Sequence, residues 1–204
     1  MFPSLSREPL SGSPWFAVEY DPHDHRVWLL DQRKLPSEVL YVAQRKPDEL
    51  ATAIRDMVVR GAPAIGITAA YAMAQQAHLE SGDTRAFMLA MGAAGRVLNA
   101  TRPTAVNLAW AISRMARRAS DVAQLPAEER AQAMLAEAEA IHRDDVLACR
   151  EMGRLGAEDV PDGACILTHC NAGALATGGY GTALGVIRAA HAAGKRVRVL
   201  ADET

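Results

Sequence analysis

The run ILTHCNAGALATGGYGTALG, residues 166–185, sets a histidine, a cysteine and an asparagine directly after a short apolar stretch. Four glycines (Gly173, Gly178, Gly179, Gly181) follow, and then an Ala/Leu/Val helical pattern begins. Two phosphate-binding motifs can be tested against it. A P-loop needs G-x-x-x-x-G-K-[ST]; Gly173 and Gly178 have the spacing, but Gly179 stands where the lysine belongs. A dinucleotide loop needs G-x-G-x-x-G; Gly179 and Gly181 begin it, but Leu184 replaces the third glycine. Two readings remain: a tight strand-to-helix turn, or backbone N–H groups ahead of a helix start that hold an anion.

Cys170 falls just past the end of the apolar run, where parallel sheets place ligands, and N–H groups of a helix start lower a thiol pKa. A reactive thiol and a packed one both fit this pattern. Cys165 opens the strand and Cys149 lies in a helical pattern, so both are expected to be buried small hydrophobes. His169 and Cys170 alternate along an extended backbone and are expected on opposite sides, which weakens a Cys–His nucleophile pair. A second constellation is VVRGAPAIG. Arg60 stands before a Gly-Ala-Pro-Ala turn, and the N–H groups of Gly61 and Ala62 could join it around a phosphate. Arg102 in ATRPT repeats the arrangement at another helix start. Singly, each arginine is as easily a salt-bridge partner; together with the glycine loop they describe a site for a small phosphorylated molecule.

These residues need elements to position them. WFAVEY and RVWLLD have strand composition and flank DPHDH, which predicts a β-hairpin, with EVLYVA a further strand. His23 and His25 in that turn are expected at the surface, with no metal. The first dozen residues, rich in Ser, Pro and Gly, read as a loose arm. From Pro47, Leu50, Ala53, Ile54, Met57 and Val58 follow helical spacing, with Pro47 at the first position and Asp48 and Glu49 at the positive end of the dipole. A second helix should run from the RGAP break to Ser81-Gly82, others over 84–99 and 104–119, and one or two between Pro126 and Leu155. VPDGACILTH, GTALGVIRAAHAAGK and RVRVLADE then read as strand, helix, strand, a βαβ unit with parallel strands. The fold class is therefore α/β: residues 1–155 form a small β segment plus a helical domain, and 156–204 open a Rossmann-like parallel sheet that looks truncated.

Half of the 204 residues are hydrophobic and the net charge is −2, which argues against a nucleic-acid surface. Arg114, Arg117 and Arg118 at helical spacing read as a solvated face. No stretch approaches ~18 uninterrupted apolar residues, so no membrane span is expected. The N-terminus lacks a secretory pattern, and three cysteines without C-x-x-C suit a reducing, cytoplasmic setting.

Four segments in order, VVRGAPAIGITAAYAMA, TRPTAVNLAWA, ILTHCNAGALATGGYGTALGVI and VLADET, resemble the S-methyl-5-thioribose-1-phosphate isomerases of methionine salvage. Their superfamily includes ribose-1,5-bisphosphate isomerases and regulatory subunits of a translation-initiation nucleotide-exchange factor; THCNAGALAT with RGAPAIG points to the isomerase branch. The resemblance implies that Arg60, Gly61, Ala62 and Arg102 bind substrate and that Cys170 is the active-site cysteine. It implies an aldose-to-ketose conversion of a sugar 1-phosphate with neither metal nor nucleotide cofactor, in a full-length homodimer. The phosphate on C1 blocks simple ring opening, so a protonated group must help open the furanose before hydrogen moves between C2 and C1. In such enzymes the catalytic aspartate and further substrate-binding residues follow the ADET segment. The 204 residues are therefore expected to be an N-terminal portion, with little isomerase activity alone, and Asp202 is not that aspartate.

Overall fold

The structure, a computed structural model, describes residues 3–202. Three short strands, β1 (Val18–Asp21), β2 (Arg26–Leu30) and β3 (Tyr41–Gln44), form an antiparallel sheet in that order, with Glu19 opposite Trp28 and Leu29 opposite Val42. The expected hairpin and third strand are both present. His25 is more than a surface turn residue: its ring stacks on His78 at 3.6 Å and its Nδ1 lies 2.7 Å from the Tyr20 hydroxyl.

Helix α1 (Pro47–Arg55) opens on Pro47, and the Glu49 carboxylate accepts the Lys46 N–H at 3.1 Å. Leu50 and Ile54 are fully buried. The helix stops earlier than its periodicity suggests. Met57 adopts a left-handed φ of +61°, which ends the helical ladder and turns its side chain out to solvent instead of onto the apolar face.

Helix α2 (Ala62–Leu79) is the axis of the molecule. Every residue from Ala64 to Gln75 is buried, so this helix has no polar face. Its small residues let neighbours close in: a Cβ on Gly66 would lie 2.9 Å from Asn107 O. Around it pack α3 (Thr84–Asn99), α4 (Val106–Val122) and α5 (Ala127–Glu158). Asp83 caps α3 by accepting the Ala86 N–H at 2.8 Å, which is why the expected bounds 84–99 hold. The long Ala/Glu/Arg pattern is one uninterrupted helix, α5. Arg114 departs from a solvated face: its guanidinium ties α4 to α5 through Glu137 at 2.5 Å and Asp144 at 3.0 Å.

The N-terminal segment is not a loose arm. Arg7 pairs with Glu139 of α5, and Ser6 bonds Asp21. Ser11 is buried, with its N–H donating to Glu19 Oε1 at 2.8 Å.

Beyond α5, β4 (Cys165–Thr168) and β5 (Arg198–Ala201) pair in parallel around α6 (Ala183–Ala192), the expected βαβ unit. Helix α6 packs on α5, where Gly153 makes room for the Gly185 carbonyl. Leu167, Val199 and Leu200 remain exposed on the two strands. Cys165, expected to be buried, is exposed, because no element covers its side of β4 among the described residues. Cys149 is buried as expected.

Candidate functional site

The strand-to-helix loop after β4 is pinned from three sides. Gln32, just past β2, donates from Nε2 to Leu175 O at 2.8 Å. Gly61, ahead of α2, packs on Ala176: it has φ +102°, and a Cβ there would overlap Ala176 Cα and sit 2.6 Å from its carbonyl oxygen. From α5, His142 and Asp145 grip the two sides of Gly178. The His142 Nε2–H donates to Gly178 O at 2.7 Å, and the Gly178 N–H donates to Asp145 Oδ2 at 2.6 Å. Because a carbonyl only accepts, the His142 proton is on Nε2, and Nδ1 accepts the Tyr71 hydroxyl at 3.0 Å. Only glycine fits: a Cβ at 178 would stand 2.8 Å from the His142 ring and 2.9 Å from Asp145 Oδ2.

The same bonds decide between the two readings of the loop. The Gly178 N–H serves Asp145, while Gly179 and Gly181 donate to Thr177 Oγ1 at 3.3 and 3.0 Å. These amides are already satisfied, so this part of the loop is a tight, internally bonded turn. The helix start across from it is different. Helix α2 begins with no side-chain cap and no acidic residue in its first turn, beside Arg60. Its positive end is open to an anion.

Arg60 is exposed and Arg102 half-buried. Arg102 Nε is buried without a hydrogen-bond partner among the described residues, as are the Nε atoms of Arg7, Arg26, Arg118 and Arg130. The starts of α2 and α4 meet at Gly66 and Asn107, which brings the Arg60–Ala62 and Arg102 segments to neighbouring helix ends. A pocket of about 450 Å³ lies between α2, α4 and α5, walled by Pro63, Ile67, Asn107, Trp110, Ile141 and Asp145. Burial pushes the Asp145 carboxyl above its ordinary pKa, with the Gly178 N–H opposing. No described hydrogen bond joins Arg60 or Arg102 to Cys170.

Cys170 is exposed at the end of β4, with φ +65°. A non-glycine residue held there stores roughly 1–2 kcal/mol, a conformation that His25 and Met57 share. The strand ends at Thr168, so the expected alternation of His169 and Cys170 does not extend to them. His169 instead meets Asp202, beyond β5, with Nδ1 to Oδ2 at 2.6 Å. Local pattern offered no signal for that pair, nor for His142 and Asp145, which look like ordinary polar positions on a helix.

An uncapped helix start packed on a glycine turn that follows a parallel strand defines an α/β protein that joins a helical bundle to a two-stranded parallel sheet. The chain belongs to the initiation factor 2 subunit family, whose profile matches residues 58–204. It is 53% identical over 181 residues to the methylthioribose-1-phosphate isomerase of Desulforudis audaxviator (strain MP104C), covering 89% of this chain and 52% of that protein. It is 50% identical over 198 residues to that of Anaeromyxobacter sp. (strain K), covering 97% and 53%. The chain thus spans about half the length of the curated relatives it matches. Among solved structures, 5-methylthioribose 1-phosphate isomerase from Pyrococcus horikoshii OT3 superposes with TM-score 0.85 at 32% identity, over 97% of this chain and 63% of that one. The translation initiation factor eIF-2B subunit delta from A. fulgidus gives 0.82 at 41%, over 93% and 54%.

Proposed function

We propose that this chain is the substrate-phosphate half of an aldose–ketose isomerase that converts S-methyl-5-thioribose 1-phosphate to the corresponding ribulose 1-phosphate. The observation that carries the reading is the α2 start: an uncapped helix end beside Arg60, locked through Gly61 onto the loop that follows Cys170. Arg60, the N–H groups of Gly61 and Ala62, and Arg102 neutralise the phosphate. Cys170 stabilises charge at the reacting carbons. The general acid that opens the ring belongs to the half of the relatives that this chain does not span. The complete enzyme is a cytoplasmic homodimer with a sugar phosphate as its small-molecule partner. Among the described residues no helix is long and apolar enough to cross a membrane.

The test is ketose-phosphate formation by the full-length protein, followed by NMR, beside Cys170→Ala. Turnover by the native protein with a loss of about 10²-fold or more in the variant supports the assignment; undiminished turnover removes Cys170 from the mechanism. The likeness to an eIF-2B subunit favours one competing reading, a non-catalytic sugar-phosphate or nucleotide sensor. Its mark would be saturable binding of the aldose phosphate by the full-length protein with no conversion.

A further inference from the structure

His169 and Asp202 lie past the C-terminal ends of two adjacent parallel strands, the side of an α/β sheet that receives ligands. Asp202 Oδ2 holds His169 Nδ1 at 2.6 Å, while the ring is 76% exposed and its Nε2 has no partner among the described residues. Within this 204-residue span the pair is solvent-exposed, and an exposed ion pair adds little to stability. What it does is present one imidazole nitrogen, in a defined orientation, from the residue before Cys170. On the other flank, Thr168 Oγ1 is buried and likewise unpartnered.

The isomerisation requires two proton movements at oxygen, whichever way hydrogen travels from C2 to C1. The ring oxygen gains a proton as its bond to C1 breaks, and the C2 hydroxyl loses one as it becomes a carbonyl. An acid serves the first; the second needs a base. We propose that His169 is that base, an inference that rests on the isomerase reading. With Nδ1–H donated to Asp202, Nε2 carries the free lone pair. It takes the C2 hydroxyl proton: the O–H bond breaks, an N–H bond forms, the O–H electron pair becomes the C=O π bond, and the pair that C2 releases (C2–H in a hydride shift, C1=C2 in an enediol) forms the new C1–H bond. The Asp202 carboxylate offsets the charge of the imidazolium, which then returns its proton to solvent. His169 is thus a catalytic residue and Asp202 a positioning residue that acts through it.

The experiment uses the full-length protein and S-methyl-5-thioribose 1-phosphate, with His169→Gln, Asp202→Asn and Asp202→Glu. Loss of a general base lowers kcat by about 10²–10⁴-fold in His169→Gln, with KM inside about threefold of native. Asp202→Asn loses about tenfold and Asp202→Glu recovers part of it, because the glutamate restores the carboxylate. Nitrogen-15 NMR of the imidazole should show the Nδ1–H tautomer in the native protein and its loss in Asp202→Asn. A His169→Gln enzyme with native kcat, a loss confined to KM, or an Nε2–H tautomer in the native protein overturns the assignment. A native enzyme that forms no ketose phosphate overturns the isomerase reading, and this inference with it.

Discussion

Gly61→Ala tests the joint between the α2 start and the glycine loop. The added methyl would overlap Ala176 Cα and stand 2.6 Å from its carbonyl, and the backbone would keep φ +102° only under strain. Strain at a glycine-only conformation costs about 1–3 kcal/mol and overpacking a further ~1–3, while the stiffer unfolded chain returns about 0.4–1. The net destabilisation is about 1–6 kcal/mol, centred near ~3, which lowers the melting temperature by roughly 2–20 °C for a chain of this size. Gly163→Ala is the control, since Gly163 also has a positive φ (+79°) but nothing lies within 4 Å of its Cβ position. It isolates the strain, and should cost about 1 kcal/mol. Thermal unfolding followed by circular dichroism measures both variants. In the full-length enzyme, the displaced turn should also raise KM by about tenfold, the equivalent of one weakened charged hydrogen bond. If Gly61→Ala melts no lower than Gly163→Ala, the contact with Ala176 is not what holds the loop, and the reasoning fails.

Three further outcomes are expected. His142→Ala leaves the buried Tyr71 hydroxyl and Gly178 carbonyl without their partner; at about 1–3 kcal/mol for each group, denaturant titration should show a loss of about 3 kcal/mol. Asp145 has a folded-state pKa raised by burial, so the folded protein holds more protons and this group's penalty appears as pH rises through the raised value. Relative to native, Asp145→Asn should therefore gain stability as pH rises above about 4, read as the difference between the two pH–stability curves; a constant difference would refute it. For the thiols, burial pushes Cys149 up to about 11, whereas Cys165 and Cys170 are exposed. Mass spectrometry after brief iodoacetamide treatment of the folded 204-residue chain should find Cys165 and Cys170 labelled and Cys149 protected.

The helical elements were legible because their start signals are local. Asp83 caps α3 and Pro47 opens α1, and both mark their boundaries in the chain itself. Where a boundary depended on backbone conformation, as at Met57, apolar spacing carried the pattern one turn too far. The glycine loop was legible as a turn of special geometry, but its role was not, because the groups that occupy its amides come from elsewhere. His142 and Asp145 lie 36 and 33 residues before Gly178, and no local period joins them. The N-terminal segment misled for a similar reason. Its composition is that of a flexible tail, yet Ser11 lies against Gly179, where a Cβ would stand 2.7 Å from Ser11 Cα. Cys165 shows the converse: strand composition gives the element but not which side of it is covered.

Helix α5 has a consequence for how the chain could be divided. It is 32 residues long, about 48 Å at the α-helical rise, and it touches the bundle through α2 and α4 and the sheet layer through α6. The turn at residues 159–164 that leaves it is exposed over most of its length. The association across that link is carried by the packing of α6 on α5 and by the grip on Gly178. Two polypeptides separated at Asp162-Gly163 should therefore recognise each other when co-expressed and restore that packing without a covalent joint, making α5 a natural seam for fragment complementation.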